Sequence, residues 1–144
     1  MSTPGAMVTS PEQEARDRFA DRYREPRVDV VREIEQRVIG GDWGANGYTT
    51  IRQADDLAMR LGLRPHHLLA DIGAGRGWPG LYLGATTGCS VVLTDLPLEA
   101  LTIAAARIRT EHLERRAWCV NADARGLPFR PASFDAVVHT DVLC

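Results

Sequence analysis

No apolar run in these 144 residues is long enough to cross a bilayer, and the polar, charged opening MSTPGAMVTSPEQEARDR has no secretory apolar core. A membrane is therefore not expected as a partner. Cysteine is scarce: Cys89, Cys119 and Cys144 are odd in number, far apart and without CxxC spacing. That argues against a disulfide framework or a zinc site and points to a reducing, cytoplasmic setting. His66 and His67 lack metal-ligand partners nearby, so no metal is expected. An excess of one charge is missing too, because the formal net charge of −2 gives no global attraction to nucleic acid or anionic lipid. There is no internal repeat or low-complexity tract. With 44% hydrophobic residues, the chain predicts one packed domain with a small-molecule ligand.

The first half of the sequence is helical. Residues 1–9, with Pro4 and Gly5, are expected to form a flexible leader. Ser10 and Gln13 have the spacing of a capping box, and Pro11 suits the first helical position, so a charged helix should run to residue 24 and stop before Pro26. A second helix over 28–39 places Val31, Ile34 and Val38 on one side, with Gly40 and Gly41 as its stop. After the loop GDWGANGYTT, Thr50 and Gln53 repeat the box. Ile51, Ala54, Leu57, Ala58 and Leu61 then form the apolar face of a third helix, closed by Gly62 and Pro65. Trp43, Tyr48 and Trp78 either pack this region onto the rest or line a pocket, with packing favoured for Trp78.

From residue 66 the pattern becomes short apolar strands alternating with helices, which predicts a parallel sheet of βαβ units. The strands are expected at 68–72, 90–95 and 118–122, with a fourth inside FDAVVHTDVLC around Ala136, Val137 and Val138. Crossover helices are expected over 79–86, begun by Pro79, and from Pro97 onward. In the latter Leu98, Leu101, Ala104, Ala105 and Ile108 should face the sheet, while Arg107, Arg109, Glu111 and Glu114 are solvated. The division is thus a leader (1–9), a helical cap (10–65) and a sheet domain (66–144).

The chemistry concentrates in LLADIGAGRGWPG, residues 68–80. A glycine-rich turn between strand and helix lets the backbone approach a ligand, since Gly73, Gly75 and Gly77 can take positive φ. In an open α/β sheet the ligand crevice lies beyond the carboxyl ends of the strands, and Asp71, Asp95, Asp123 and Asp141 all fall near such ends. A turn or capping role competes for each aspartate alone, but their shared placement favours ligand contact. Asp95 can accept hydrogen bonds from both hydroxyls of a ribose. A carboxylate at Asp71 would repel a pyrophosphate, whereas a phosphate-free, cationic cofactor suits an acid-lined pocket. The fingerprint GxGxxG occurs at Gly75, Gly77 and Gly80, but it is displaced from the strand end and interrupted by Pro79. An NAD(P)-dependent oxidoreductase stays open as a rival, as does a noncatalytic binding or scaffold module.

DIGAGRG resembles the acid-x-Gly-x-Gly-x-Gly motif of the class I S-adenosylmethionine-dependent methyltransferases. LTDLP resembles that family's ribose-binding strand end, NADA its adenine-contacting loop, and LPFRPASFDAVV its approach to strand four. The resemblance implies an α/β, Rossmann-like parallel sheet with flanking helices and an N-terminal helical cap. It implies S-adenosylmethionine as cofactor and transfer of its methyl group to a small-molecule acceptor. It places Asp71 and Gly73 by the methionine amino end, with Ala74, Gly75 and Gly77 admitting the cofactor. Asp95, beside Leu96, would hold the ribose, Asp123 the adenine amino group and the Ala124 backbone the ring. His139 and Thr140 would border the methionine moiety. His139 and Asp141 are the candidates for a general base, although displacement at a methyl group with a neutral leaving group requires none.

Family members continue to a fifth strand and a final antiparallel hairpin, so about four strands are expected here, the last three being absent. Strand four would then be an uncovered edge open to self-association or to a partner. A fragment of a longer enzyme, an inactive truncated product and a partner-completed chain are the three explanations, the first being preferred.

Overall fold

The computed structural model describes residues 10–45 and 47–141. The leader and the end of FDAVVHTDVLC, Cys144 included, lie outside the described residues. Three helices come first: α1 (Pro11–Arg24), α2 (Asp29–Val38) and α3 (Ile51–Arg60). At α1 the Ser10 hydroxyl accepts the Gln13 N–H at 3.2 Å, one half of the expected box. At α3 both halves form, because Gln53 Oε1 also accepts the Thr50 N–H at 2.8 Å. Ala54 on the expected face of α3 is fully buried, whereas Leu61 is exposed.

Helix α2 turns its predicted apolar side outward, with Ile34 57% and Val38 53% exposed. The side it buries is held by Glu35, whose carboxylate pairs with Arg27 and accepts the backbone N–H of Trp43 and Ala45. Apolar periodicity shows which residues share a face; it does not show which face finds a neighbour. Ile39 and Gly40 end the helix, Gly40 with φ +99°.

The sheet comprises β1 (Leu68–Ile72), β2 (Ser90–Asp95), β3 (Ala117–Asn121) and β4 (Ala136–Val138), in the order β3-β2-β1-β4 and parallel throughout. Helix α4 (Gly80–Thr87) links β1 to β2, and α5 (Leu98–Thr110) links β2 to β3. Pro79 is the cap preceding α4 rather than its first residue, and Gly88, φ +77°, closes the helix. In α5 the buried set is Ala100, Leu101, Ala104 and Ile108; Leu98 points outward. Arg107 departs from the expected solvated face: its Nη2 donates to the Asp42 carbonyl at 2.6 Å, and its guanidinium lies over the Trp43 ring.

Leu69, Val91 and Leu93 of the strands, Leu81 and Leu83 of α4, and Leu101 and Ala104 of α5 form the buried centre. Val137 is half-exposed, so β4 is covered on one face only. The chain passes from β3 on one side of β1 to β4 on the other, and this reversal opens a crevice at the carboxyl ends of β1 and β4. Among the described residues no helix is long and apolar enough to cross a membrane.

Candidate functional site

The glycine loop is fixed by the strand beside it. Gly73 N–H and Ala74 N–H both donate to the Thr94 carbonyl, at 2.8 and 3.0 Å, so the chain leaving β1 folds over the end of β2. This path needs left-handed backbone at Gly73 (φ +72°) and Gly75 (φ +54°), as the motif predicts. A Cβ on Gly75 would also lie 2.9 Å from the Tyr23 hydroxyl, because α1 lies across the loop. Gly77 (φ +100°) serves a different purpose. A Cβ there would lie 2.5 Å from Leu81 Cδ1, so Gly77 lets α4 close onto the sheet and does not face the cavity.

Above the loop lies a cavity of about 620 Å³, within the roughly 300–1,000 Å³ typical of small-molecule sites. Its floor is Gly73, Ala74, Gly75 and Arg76; Asp95, Leu96 and Pro97 bound it at β2, Asp123 and Arg125 after β3, and Thr140 and Asp141 after β4. Helix α1 supplies the opposite wall with Ala15, Arg16, Phe19, Arg22 and Tyr23, and Gly44, Gly47 and Tyr48 of the loop before α3, with Trp78, complete it. The structure therefore gathers eight of the residues singled out from sequence: Gly73, Ala74, Gly75, Asp95, Leu96, Asp123, Thr140 and Asp141.

The other four lie off the cavity wall. Asp71 is buried beneath the loop, where its Oδ2 accepts the Gly80 N–H at 2.8 Å and steadies the start of α4. Its Oδ1 has no hydrogen-bond partner among the described residues. Burial raises its pKa well above the ordinary carboxylate value; Asp95 adds to the rise and the Gly80 bond opposes it. Gly77 packs behind the loop, as described. Ala124 and His139 are exposed and do not line the cavity.

The acids on the wall are differently held. Asp95 Oδ2 accepts the Gly75 N–H at 2.6 Å and Oδ1 the Leu96 N–H at 2.7 Å; burial raises its pKa against these two bonds. Asp123 is gripped by Arg125, with Nη2 to Oδ2 at 2.6 Å, and that pairing pulls its pKa down to about 2. Asp141 Oδ2 accepts the Thr49 hydroxyl at 2.8 Å and ties the end of β4 to the loop before α3. Trp78 is buried, as expected, and its Nε1 donates to the Thr49 carbonyl at 2.9 Å.

Tyr48 and Trp78, read from sequence as residues that either pack or line a pocket, both border the cavity, whereas sequence reading missed its arginines and the Phe19 and Tyr23 rings of α1. Arg76 is only 7% exposed, with its guanidinium 5.2 Å from the centre of the Tyr23 ring. Burial lowers its pKa, and repulsion from Arg27, Arg22 and Arg107 lowers it further. The signal was present, since Arg76 stands inside the glycine motif itself, but nothing in the sequence brings α1 over it. Among the described residues there is no His/Cys/acid group able to hold a metal ion.

The methyltransferase domain family model matches residues 69–144. The methyltransferase GfsG of Streptomyces halstedii is 35% identical over 86 residues, covering 60% of this chain and 31% of its own length. The chain thus spans less than a third of that relative. A Methanococcus maripaludis protein assigned as an S-adenosylmethionine-dependent methyltransferase shares the fold with a TM-score of 0.65 at 18% identity, over 95% of this chain and 55% of that one. A Thiobacillus denitrificans methyltransferase, in complex with S-adenosyl-L-homocysteine, gives 0.60 at 15% identity over 81% and 45%. The [4+2]-cyclase SpnF gives 0.62 at 22% identity over 92% and 50%. These likenesses establish the fold, and the cyclase shows that the fold alone does not dictate the reaction.

Proposed function

The chain belongs to the methyltransferase domain family, and from that premise we propose that it is the cofactor-binding part of an S-adenosylmethionine-dependent methyltransferase acting on a small molecule. The observation that carries this reading is Asp95, half-buried on the cavity wall and locked to the glycine loop by Gly75. Each of its oxygens accepts one backbone N–H and keeps a further lone pair, which suits the two hydroxyls of a ribose. Asp123, kept ionised by Arg125, offers an acceptor to an adenine amino group. The loop is free of side-chain bulk at Gly73 and Gly75, where the methionine end would lie, and Thr140 faces the same space. The wall carries three carboxylates, Asp95, Asp123 and Asp141, beside four arginines, Arg16, Arg22, Arg76 and Arg125, so it suits a ligand that bears both charges rather than a purely anionic pyrophosphate. S-adenosylmethionine fits this donor set and, when bound, supplies a methyl group on a positively charged sulfur that leaves as a neutral thioether.

The protein's contribution is then placement. Asp71 acts from below, holding the turn between β1 and α4, and α1 closes the cavity from the cap side. Residues 10–65 are read as the cap that shapes the acceptor space. Asp141 is the better placed of the two candidate bases, because His139 lies off the cavity. No strand pairs with the outer edge of β4 among the described residues, and that edge is read as a pairing surface.

Calorimetric titration tests the reading. S-adenosyl-L-homocysteine should bind, and Asp95→Ala should weaken that binding. Binding of NAD without binding of either S-adenosyl compound would overturn it.

A further inference from the structure

The cavity wall is divided by charge. On the sheet side stand Asp95, Asp123 with its partner Arg125, and Asp141; on the side of α1 stand Arg16, Arg22 and Arg76, the last a guanidinium whose pKa burial lowers and Arg22 lowers further. Arg22 lies in the last turn of α1, and its guanidinium makes no hydrogen bond or ion pair among the described residues. Arg27 and Arg107, the other cations around Arg76, are both bound to Asp42. Arg22, which is exposed, and Arg76, which is buried, repel each other, and an anion entering between them relieves that repulsion. Arginine is suited to the task, because its planar fork grips a carboxylate through two parallel N–H donors. Two aromatic rings stand unburied on the same wall, Phe19 at 55% and Tyr48 at 83% exposure, and can take the apolar body of a ligand.

We infer that the arginine end of the cavity is a carboxylate-binding subsite, in which Arg22 and Arg76 hold the acid group of the methyl acceptor while Phe19 and Tyr48 cover its aromatic or apolar body. The acceptor is thus a small organic acid. This inference rests on the methyl-transfer reading for the word acceptor, while the subsite itself rests on the arginines alone. The same chemistry could come from a second source, the carboxylate of the cofactor's own methionine end, and the two sources are separable.

Benzoate, phenylacetate and cinnamate, each against its uncharged amide, are titrated into the chain by ligand-observed NMR, with and without saturating S-adenosyl-L-homocysteine. Each acid should bind about tenfold or more tightly than its amide, as expected for charge-assisted hydrogen bonds. In Arg22→Gln, an exposed position whose replacement leaves the fold intact, that preference should fall to about twofold or less, with S-adenosyl-L-homocysteine affinity changed by less than about twofold. Arg76→Gln should reproduce the loss if it folds, and Arg22→Gln decides alone if it does not. Equal binding of acids and amides, or a preference that survives in Arg22→Gln, overturns the subsite. A loss of about tenfold or more in S-adenosyl-L-homocysteine affinity in Arg22→Gln also overturns it, by assigning the arginine to the cofactor's carboxylate. If S-adenosyl-L-homocysteine does not bind at all yet acids still beat amides in an Arg22-dependent way, the subsite stands and the methyl-transfer reading fails.

Discussion

Asp95 joins two jobs in one side chain, because the Oδ2 that accepts the Gly75 N–H at 2.6 Å belongs to a carboxylate that also forms the wall of the cavity. Its second oxygen holds Leu96 N–H at 2.7 Å. Removing the side chain therefore loosens the loop and deletes a ligand contact together. Asp95→Ala should cost about 1–3 kcal/mol of stability, from the two amides left without their acceptor. It should also weaken S-adenosyl-L-homocysteine binding by about tenfold or more. Asp95→Asn, which keeps one carbonyl oxygen, should fall between the two proteins in urea unfolding and in calorimetry. Unchanged affinity in Asp95→Ala would remove Asp95 from the binding site.

Gly77 and Gly62 both have positive φ but differ in what surrounds them. A Cβ at Gly77 meets fully buried Leu81 at 2.5 Å, while one at Gly62 (φ +58°) meets nothing within 4 Å. Gly62→Ala should therefore cost only the backbone term, about 1–2 kcal/mol. Gly77→Ala should cost that and a further 1–3 kcal/mol or so from overpacking. Shortening the neighbour by Leu81→Ala in the Gly77→Ala background should recover part of the overpacking term, read as a nonadditive double-mutant cycle in denaturant. Equal losses at the two glycines would show that the Leu81 contact relaxes without cost.

Burial of Asp71 sets a pH dependence with a definite sign. A carboxyl whose folded pKa is raised binds its proton more tightly in the folded state, so its favourable contribution is fully present below the unfolded value near 3.8 and is lost as pH rises through the folded value. Asp71→Asn keeps an oxygen for the Gly80 N–H and cannot ionise. The melting temperature of the variant should gain on that of the original protein from pH 4 upward. Asp123 works in the opposite direction: held at about 2 by Arg125, it contributes above 3.8 and loses that contribution as pH falls toward 2. Measurements from pH 4 to 8 keep the two apart. Parallel melting curves over that range would mean that Asp71 is not strained by its charge.

Which parts were legible in the sequence follows from the range of the forces involved. The strand–loop–helix unit is local: the β1 run, the positive-φ glycines and the acid closing β2 lie close together in sequence, and each has the expected backbone, although Gly77 packs behind the loop instead of facing the cavity. The buried side of α2 was not legible, because Glu35 is buried by Arg27 and by two backbone amides of the following loop, contacts that apolar periodicity does not encode. For the same reason Arg107 looked like a surface residue until the fold brought Asp42 and Trp43 to it. Asp71 illustrates the limit within the motif: strand position put it near the loop, but the pleat and the Gly80 amide turned its carboxylate beneath. The arginine wall needed tertiary packing, since Tyr23 and Arg76 are distant in sequence and meet only because α1 crosses the glycine loop.

The loop before α3 is held at Thr49 from two sides, by Trp78 Nε1 at the carbonyl and by Asp141 Oδ2 at the hydroxyl. Gly47 makes this closure sterically feasible, for a Cβ there would lie 2.1 Å from Asp141 Cγ. Gly47→Ala should therefore push the loop away from the end of β4 and open the cavity beside Tyr48. Amide exchange over residues 47–50 should rise severalfold, and S-adenosyl-L-homocysteine should dissociate faster. Thr49→Val is the milder control: it deletes the 2.8 Å hydroxyl bond but leaves the backbone N–H, 3.3 Å from the same oxygen, so about 0.5–1.5 kcal/mol should be lost locally. Because Trp78 is buried against this loop, its fluorescence should shift in Gly47→Ala and much less in Thr49→Val. Unaltered exchange in Gly47→Ala would show that the contact between Asp141 and the loop does not govern its opening.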